Sequence, residues 1–157
     1  HAAGLPTILK QTGYNYYVFM RPQPEDPTQE NSNAKHPLPL LFWWEGPDGS
    51  RVLTLRILGS YENPATTIRE VAKSSFAPGF SHGAFFLGVG DHGGAVTKEQ
   101  IREVLQLRKD ASLPELRWST VQEFFTAVET SPRMANLPIV REGLQHTARG
   151  GYSANGE

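Results

Sequence analysis

The chain has 157 residues, a formal net charge of −1 and no cysteine. That length suits one domain with a moderate core, and the balanced charge gives no electrostatic case for a nucleic-acid or acidic-membrane partner. Without cysteine there are no disulfides, thiolate zinc sites or cysteine nucleophiles, and no apolar run approaches the ~18 residues of a membrane span. The first residues are not patterned as a signal peptide, and the expected setting is reducing and cytoplasmic.

In chain order, Leu5, Ile8 and Leu9 have helical spacing, and Gly13 stands where a C-terminal cap belongs. The aromatic, β-branched run YNYYVFM predicts a buried strand. Arg21 to Pro39 carries five prolines and reads as a long irregular loop. LLFWWEG, the turn Pro47-Asp48-Gly49 and SRVLTLRIL predict strand, turn and strand. Asn63 as cap and Pro64 at the first helical position open a helix through ATTIREVAKSS. GAFFLGVG predicts the next strand. Thr97 and Gln100 then form a capping box for a helix through Ile101, Val104, Leu105 and Leu107. LRWST predicts a short strand, and Thr120 with Glu123 a second capping box, for VQEFFTAVE. Strands alternating with helices argue for the α/β class, with βα units around a parallel sheet. In such folds the loops after the strands carry function. Arg21, Tyr61, Asp91-His92 and Ser119 all fall at or just past a predicted strand end, so these loops are expected to converge on one rim.

Gly88, Gly90, Gly93 and Gly94 bracket Asp91 and His92. Glycines let a ligand approach the backbone closely, so Asp91 could be a general acid or a metal ligand tuned by His92. Equally, Asp91 could cap the turn through its own backbone. The spacing is neither a Walker A loop nor a dinucleotide fingerprint. Trp43 and Trp44, adjacent on a strand, point to opposite faces; one can fill the core while the other lines a sugar pocket. Glu45 closes that strand as a polar contact or a structural ion pair. Arg21 could clamp a carboxylate or be a solvated loop residue. Tyr61 could donate a phenolic hydrogen bond or pack beneath its loop. His1, His36, His82, His92 and His146 show no HxH or HExxH spacing, so the residues support no self-contained metal site.

HAAGLPTILKQTG, YYVFMRP, FWWEGPDGSRVL, GVGDHGGAVTKEQI, ELRWSTVQEFF and LPIVREGLQHTARGGYS span nearly the whole chain. In this order they resemble glycoside hydrolase family 38, the α-mannosidases, and most closely its bacterial and cytosolic branch. The resemblance implies an incomplete part of a seven-stranded β/α barrel, running toward a helical bundle and β-domains. Residues 1–137 would be a partial barrel catalytic domain, and 138–157 the start of the connection to the region that follows. It also implies a retaining reaction with an aspartate nucleophile and a bound zinc. His1 matches the histidine of an Asp-Ser-Phe-Gly-His-type segment, which places the nucleophile before residue 1. The zinc ligands would lie further upstream and beyond Glu157, so no metal ligand is expected in the chain itself.

By the same resemblance Asp91 takes the acid/base position, Arg21 orients the nucleophile and Tyr61 reaches the sugar. Trp43, Trp44, Glu45 and His92 are the further expected substrate contacts. His92 departs from the acid or glycine expected beside Asp91, which leaves open which of the two fills the acid/base position. The first residue is His and the last are GGYSANGE, without a closing element, so the chain reads as an internal fragment. The expected partners are an α-mannoside and the remainder of the same polypeptide, and the fragment alone is expected to be inactive. The alternatives are a non-catalytic carbohydrate-binding module and a truncated gene product.

Overall fold

A computed structural model of the protein describes residues 1–21, 38–90 and 94–144. The backbone divides into two units, His1–Leu55 with Pro138–Glu157, and Arg56–Leu137. The first holds helix α1 (Leu5–Gln11) and strands β1 (Tyr16–Phe19), β2 (Leu41–Glu45), β3 (Arg51–Arg56) and β4 (Ile139–Val140). Pro6 sits in the first turn of α1, where a missing N–H costs little. Gly13, at φ 89°, ends the helix, with the Tyr14 N–H donating to the Leu9 carbonyl at 2.9 Å.

β2 and β3 form the expected hairpin. Gly49 takes φ 81°, and its N–H donates to the Gly46 carbonyl at 3.0 Å. The Asp48 carboxylate accepts from the Ser50 N–H at 3.0 Å and from the Thr7 hydroxyl at 2.5 Å, which ties the turn to α1. β4 lies parallel to β2, with Trp43 beside Ile139 and Trp44 beside Val140. The sheet order is β1-β3-β2-β4. The sheet is therefore mixed and not all parallel as expected, because a turn this short can only join antiparallel neighbours. The class is α/β, and among the described residues the sheet has four strands.

The second unit is built differently. It holds α2 (Ile68–Val71), α3 (Lys98–Leu107) and α4 (Val121–Glu129), with short 3₁₀ turns at Ala65–Thr67 and Pro132–Asn136. Both predicted capping boxes are present: Thr97 with Gln100 opens α3, and Thr120 with Glu123 opens α4. Three expectations fail here. GAFFLGVG is not a strand; its backbone makes isolated bridges, Asn63 to Leu87 and Val89 to Gly94 among them. LRWST is not a strand either, and Arg117, Trp118 and Ser119 are exposed, so no buried face holds it extended. Asn63 does not cap a helix; its side chain donates to the backbone carbonyls of Leu58 and Phe86. No described helix is long and apolar enough to cross a membrane.

The core of the first unit gathers Phe19, Phe42, Trp44, Val52 and Leu144, with Leu5 and Leu9 of α1 packed against it. Trp44 is fully buried, and its indole N–H donates to the Glu142 carbonyl at 2.9 Å. Trp44→Ala is expected to cost about 3–5 kcal/mol in denaturant unfolding. Trp44→Phe, which keeps a ring but orphans that carbonyl, should cost about 1–3 kcal/mol. A Trp44→Ala variant as stable as the parent would contradict this packing.

Candidate functional site

Arg21 is exposed and stands two residues past β1. Of the tryptophan pair, Trp44 belongs to the core, whereas Trp43 is half-buried. Trp43 lines an open groove of about 740 Å³ with Lys10, Asp48, Gly49, Ser50 and Arg51. Trp44 also sits in an aromatic cluster, with the Tyr17 ring centroid 5.5 Å away and that of His1 6.5 Å away. The Tyr17 hydroxyl lies 3.1 Å from His1 Nδ1. Glu45 accepts from Arg51 Nε and Arg141 Nε, each at 2.5 Å, so one carboxylate joins β2 to β3 and to the residue after β4.

In the second unit the backbone of Tyr61 meets the glycine run that leads to Asp91. A Cβ on Gly88 would lie 2.9 Å from the Tyr61 carbonyl oxygen and 3.0 Å from that of Gly94, so only glycine fits there. The Val89 N–H donates to the Gly94 carbonyl at 3.3 Å, and Gly90 takes φ 75°. The base of the turn is thus closed against the Tyr61 segment. Asp91 and His92 themselves lie outside the described residues, as do His36 and His146. Of the four loops expected on one rim, the structure brings the Tyr61 backbone against Gly88, in the glycine run before Asp91. Arg21 belongs to the other unit. Ser119 is part of a helix cap, its hydroxyl donating to Glu123 at 3.1 Å.

Two amides outside the expected site residues bond these segments. Asn63 donates to the carbonyls of Leu58 at 3.3 Å and Phe86 at 3.2 Å, and also to that of Ser60. Gln100 donates to the carbonyl of Gly88 at 3.0 Å and to that of Asn63 at 3.4 Å. The available signal was the failure of GAFFLGVG to alternate: a glycine-interrupted run without a ladder needs other partners for its carbonyls. Among the described residues no group of three His, Asp or Glu side chains could hold a metal ion. The donor set for the implied zinc is not found there.

Among the described residues the strongest carboxylate shift marks a turn. Hydrogen bonds from the Ser112 hydroxyl, then from Arg69, hold the Asp110 carboxyl down to about 2. Asp110 lies just past α3 and also accepts from the Ser112 N–H at 2.9 Å, so the shift reflects an anchored loop. Arg141 and then Arg51 likewise hold Glu45 below its ordinary value of 4.5. A lowered folded value means a contribution that is present above that ordinary value and lost as the pH falls through the folded one. Glu45→Gln should therefore melt below the parent at neutral pH, with the gap closing in acid. Equal gaps in melting temperature at neutral and acid pH would contradict the pairing.

Residues 1–142 match the glycosyl hydrolases family 38 N-terminal domain. The chain is 32% identical over 137 residues to Alpha-mannosidase 2C1 of Homo sapiens, an alignment covering 83% of this chain and 12% of that protein. It is 29% identical over 133 residues to Alpha-mannosidase 2C1 of Mus musculus, covering 82% of the chain and 12% of the relative. Alpha-mannosidase G of Dictyostelium discoideum is 27% identical over 133 residues, with the same two shares. The chain thus spans about 12% of the length of these relatives. By its match over almost its whole length, the chain belongs to glycosyl hydrolase family 38, as part of its N-terminal domain.

Proposed function

We propose that this chain is part of a retaining α-mannosidase, contributing the acid/base carboxyl and part of the sugar pocket. The observation that carries the reading is the family match over residues 1–142, which includes the glycine run around Asp91. In support, the Tyr61 backbone packs against Gly88, so a residue suited to sugar contact lies near the base of the Asp91 turn. Strands β1, β2 and β3 are one portion of a larger β/α barrel, completed by strands from elsewhere in the polypeptide. Residues 1–137 belong to that barrel and 138–157 lead toward the region that follows. A cytoplasmic setting is part of the same reading.

Retaining hydrolysis needs two carboxyl groups about 5–5.5 Å apart. Asp91 is one of them: it protonates the departing glycosidic oxygen, then takes a proton from the water that releases the sugar. The nucleophile comes from the segment preceding His1. Arg21 orients it, and Tyr61 and Trp43 contact the sugar. His92 adjusts the acidity of Asp91. Trp44 supports Trp43 from the core, and Glu45 fixes the strand end through its two arginines. The ligands for zinc would come from outside the chain, and no step here runs through the metal. The isolated 157 residues are accordingly inactive.

Asp91→Asn, in the longest polypeptide that carries these residues, should lower kcat/KM for an unactivated phenyl α-mannoside by about 10²–10⁴-fold. For dinitrophenyl α-mannoside, whose leaving group needs no proton, kcat/KM should change far less. Unaltered kcat/KM for the phenyl substrate would rule out the acid/base role.

A further inference from the structure

Helix α3 has an inner face and an outer one. Gln100 and Val104 are buried, and Val104 packs with Ala65 and Ile68, with Leu107 at the edge of that cluster. On the other side Lys98, Ile101, Arg102, Leu105, Arg108 and Lys109 are all exposed. They follow one another at helical spacing, so they form one continuous strip. The helical turn carries on past Leu107: the Arg108 N–H donates to the Val104 carbonyl at 2.9 Å and the Lys109 N–H to that of Gln106 at 3.0 Å. Scattered apolar residues on a surface are ordinary. Ile101 and Leu105, 36% and 44% exposed, are instead neighbours in the strip, and every other member is a cation. In a chain of net charge −1 that is a local excess, although Glu99 pairs with Arg102 at 3.1 Å. Arg108 and Lys109 suit a helix C-terminus. Lys98 stands at the first helical position, where the dipole disfavours a cation, so helix stability alone does not account for the strip.

We propose that this strip is a docking surface for another region of the same polypeptide, an apolar patch fringed by aspartate and glutamate. The proposal rests on the reading of the chain as part of a longer α-mannosidase. An alignment of 83% of this chain covers only 12% of Alpha-mannosidase 2C1 of Homo sapiens. On that reading most of the polypeptide lies outside these 157 residues and has surfaces to pack. Ile101 and Leu105 supply the desolvated centre of such a contact. The cations supply its rim, where charge sets register and partner choice more than affinity. Other occupants fit less well. Two copies meeting through the same strip about a twofold axis would set cation against cation. Nucleic acid would be held through its phosphates, with no use for the two aliphatic side chains. A membrane-surface helix carries a broader apolar face than these two residues provide.

The test is carbodiimide cross-linking and lysine acetylation of the longest polypeptide that carries the chain, each read by peptide mass spectrometry. Carbodiimide joins an amine to a carboxylate in direct contact. Lys98 or Lys109 should therefore be linked to an aspartate or glutamate outside residues 1–157, within one molecule. In acetylation both lysines should react about 10-fold more slowly than Lys73, an exposed lysine off the strip, the protection of a contact closed about nine-tenths of the time. Leu105→Asp should abolish the cross-link and raise both lysines to the rate of Lys73. Arg108→Glu should do the same, and replaces it if Leu105→Asp fails to fold. Cross-links confined to residues 1–157, links only between molecules, or a link that survives both substitutions would each overturn the proposal. So would protection that appears only on adding phosphatidylserine vesicles or duplex DNA. An intact polypeptide of 157 residues would defeat the reading of a longer protein, and the docking with it. A longer polypeptide in which Lys98 and Lys109 react as fast as Lys73 would defeat the docking alone.

Discussion

Backbone carbonyls need donors, and in the second unit two side-chain amides supply some of them where the backbone is irregular. Asn63 and Gln100 between them serve Leu58, Ser60, Asn63, Phe86 and Gly88. The bends that this permits bring the Tyr61 backbone against Gly88. A regular strand would have satisfied the same carbonyls but would also have straightened the run through Gly88 and Gly90. Irregular backbone at a site is costly, and these amides offset part of that cost.

The first unit solves the opposite problem, giving a small mixed sheet a rigid centre. Trp44 fills the core and its indole reaches the backbone at Glu142, so the segment after β4 is held by packing and by a hydrogen bond. Glu45, next along β2, joins the neighbouring elements through Arg51 and Arg141. The ion pairs are partly solvated, so they contribute more to register than to stability. Adjacent residues on one strand thus do different work: Trp44 inward, Trp43 toward an open groove, Glu45 along the sheet end.

How much of this is legible in the sequence depends on the range of the interaction. The two capping boxes, the Pro47-Asp48-Gly49 hairpin and the end of α1 at Gly13 are local, set by residues within five positions of one another, and all four are readable. The pairing of β4 with β2 was not, because it joins residues about a hundred positions apart and no local pattern marks it. GAFFLGVG has strand composition but no neighbouring strand among the described residues, so propensity gave way to context. Asn63 next to Pro64 has the signature of a helix cap; bonds to nearby Leu58 and to distant Phe86 drew its side chain elsewhere. Of the site, the glycine run and its acid stood out in the sequence. Gln100 did not, since its helix-capping half conceals the half that reaches Gly88.

The central claim is that these residues serve a retaining α-mannosidase. The most direct measurement is proton NMR of the first sugar released from an aryl α-mannoside by the longest polypeptide that carries the chain. The account predicts α-mannose as the first anomer, with the β form accumulating only by mutarotation. Initial release of β-mannose, or no hydrolysis of the glycoside at all, would contradict it.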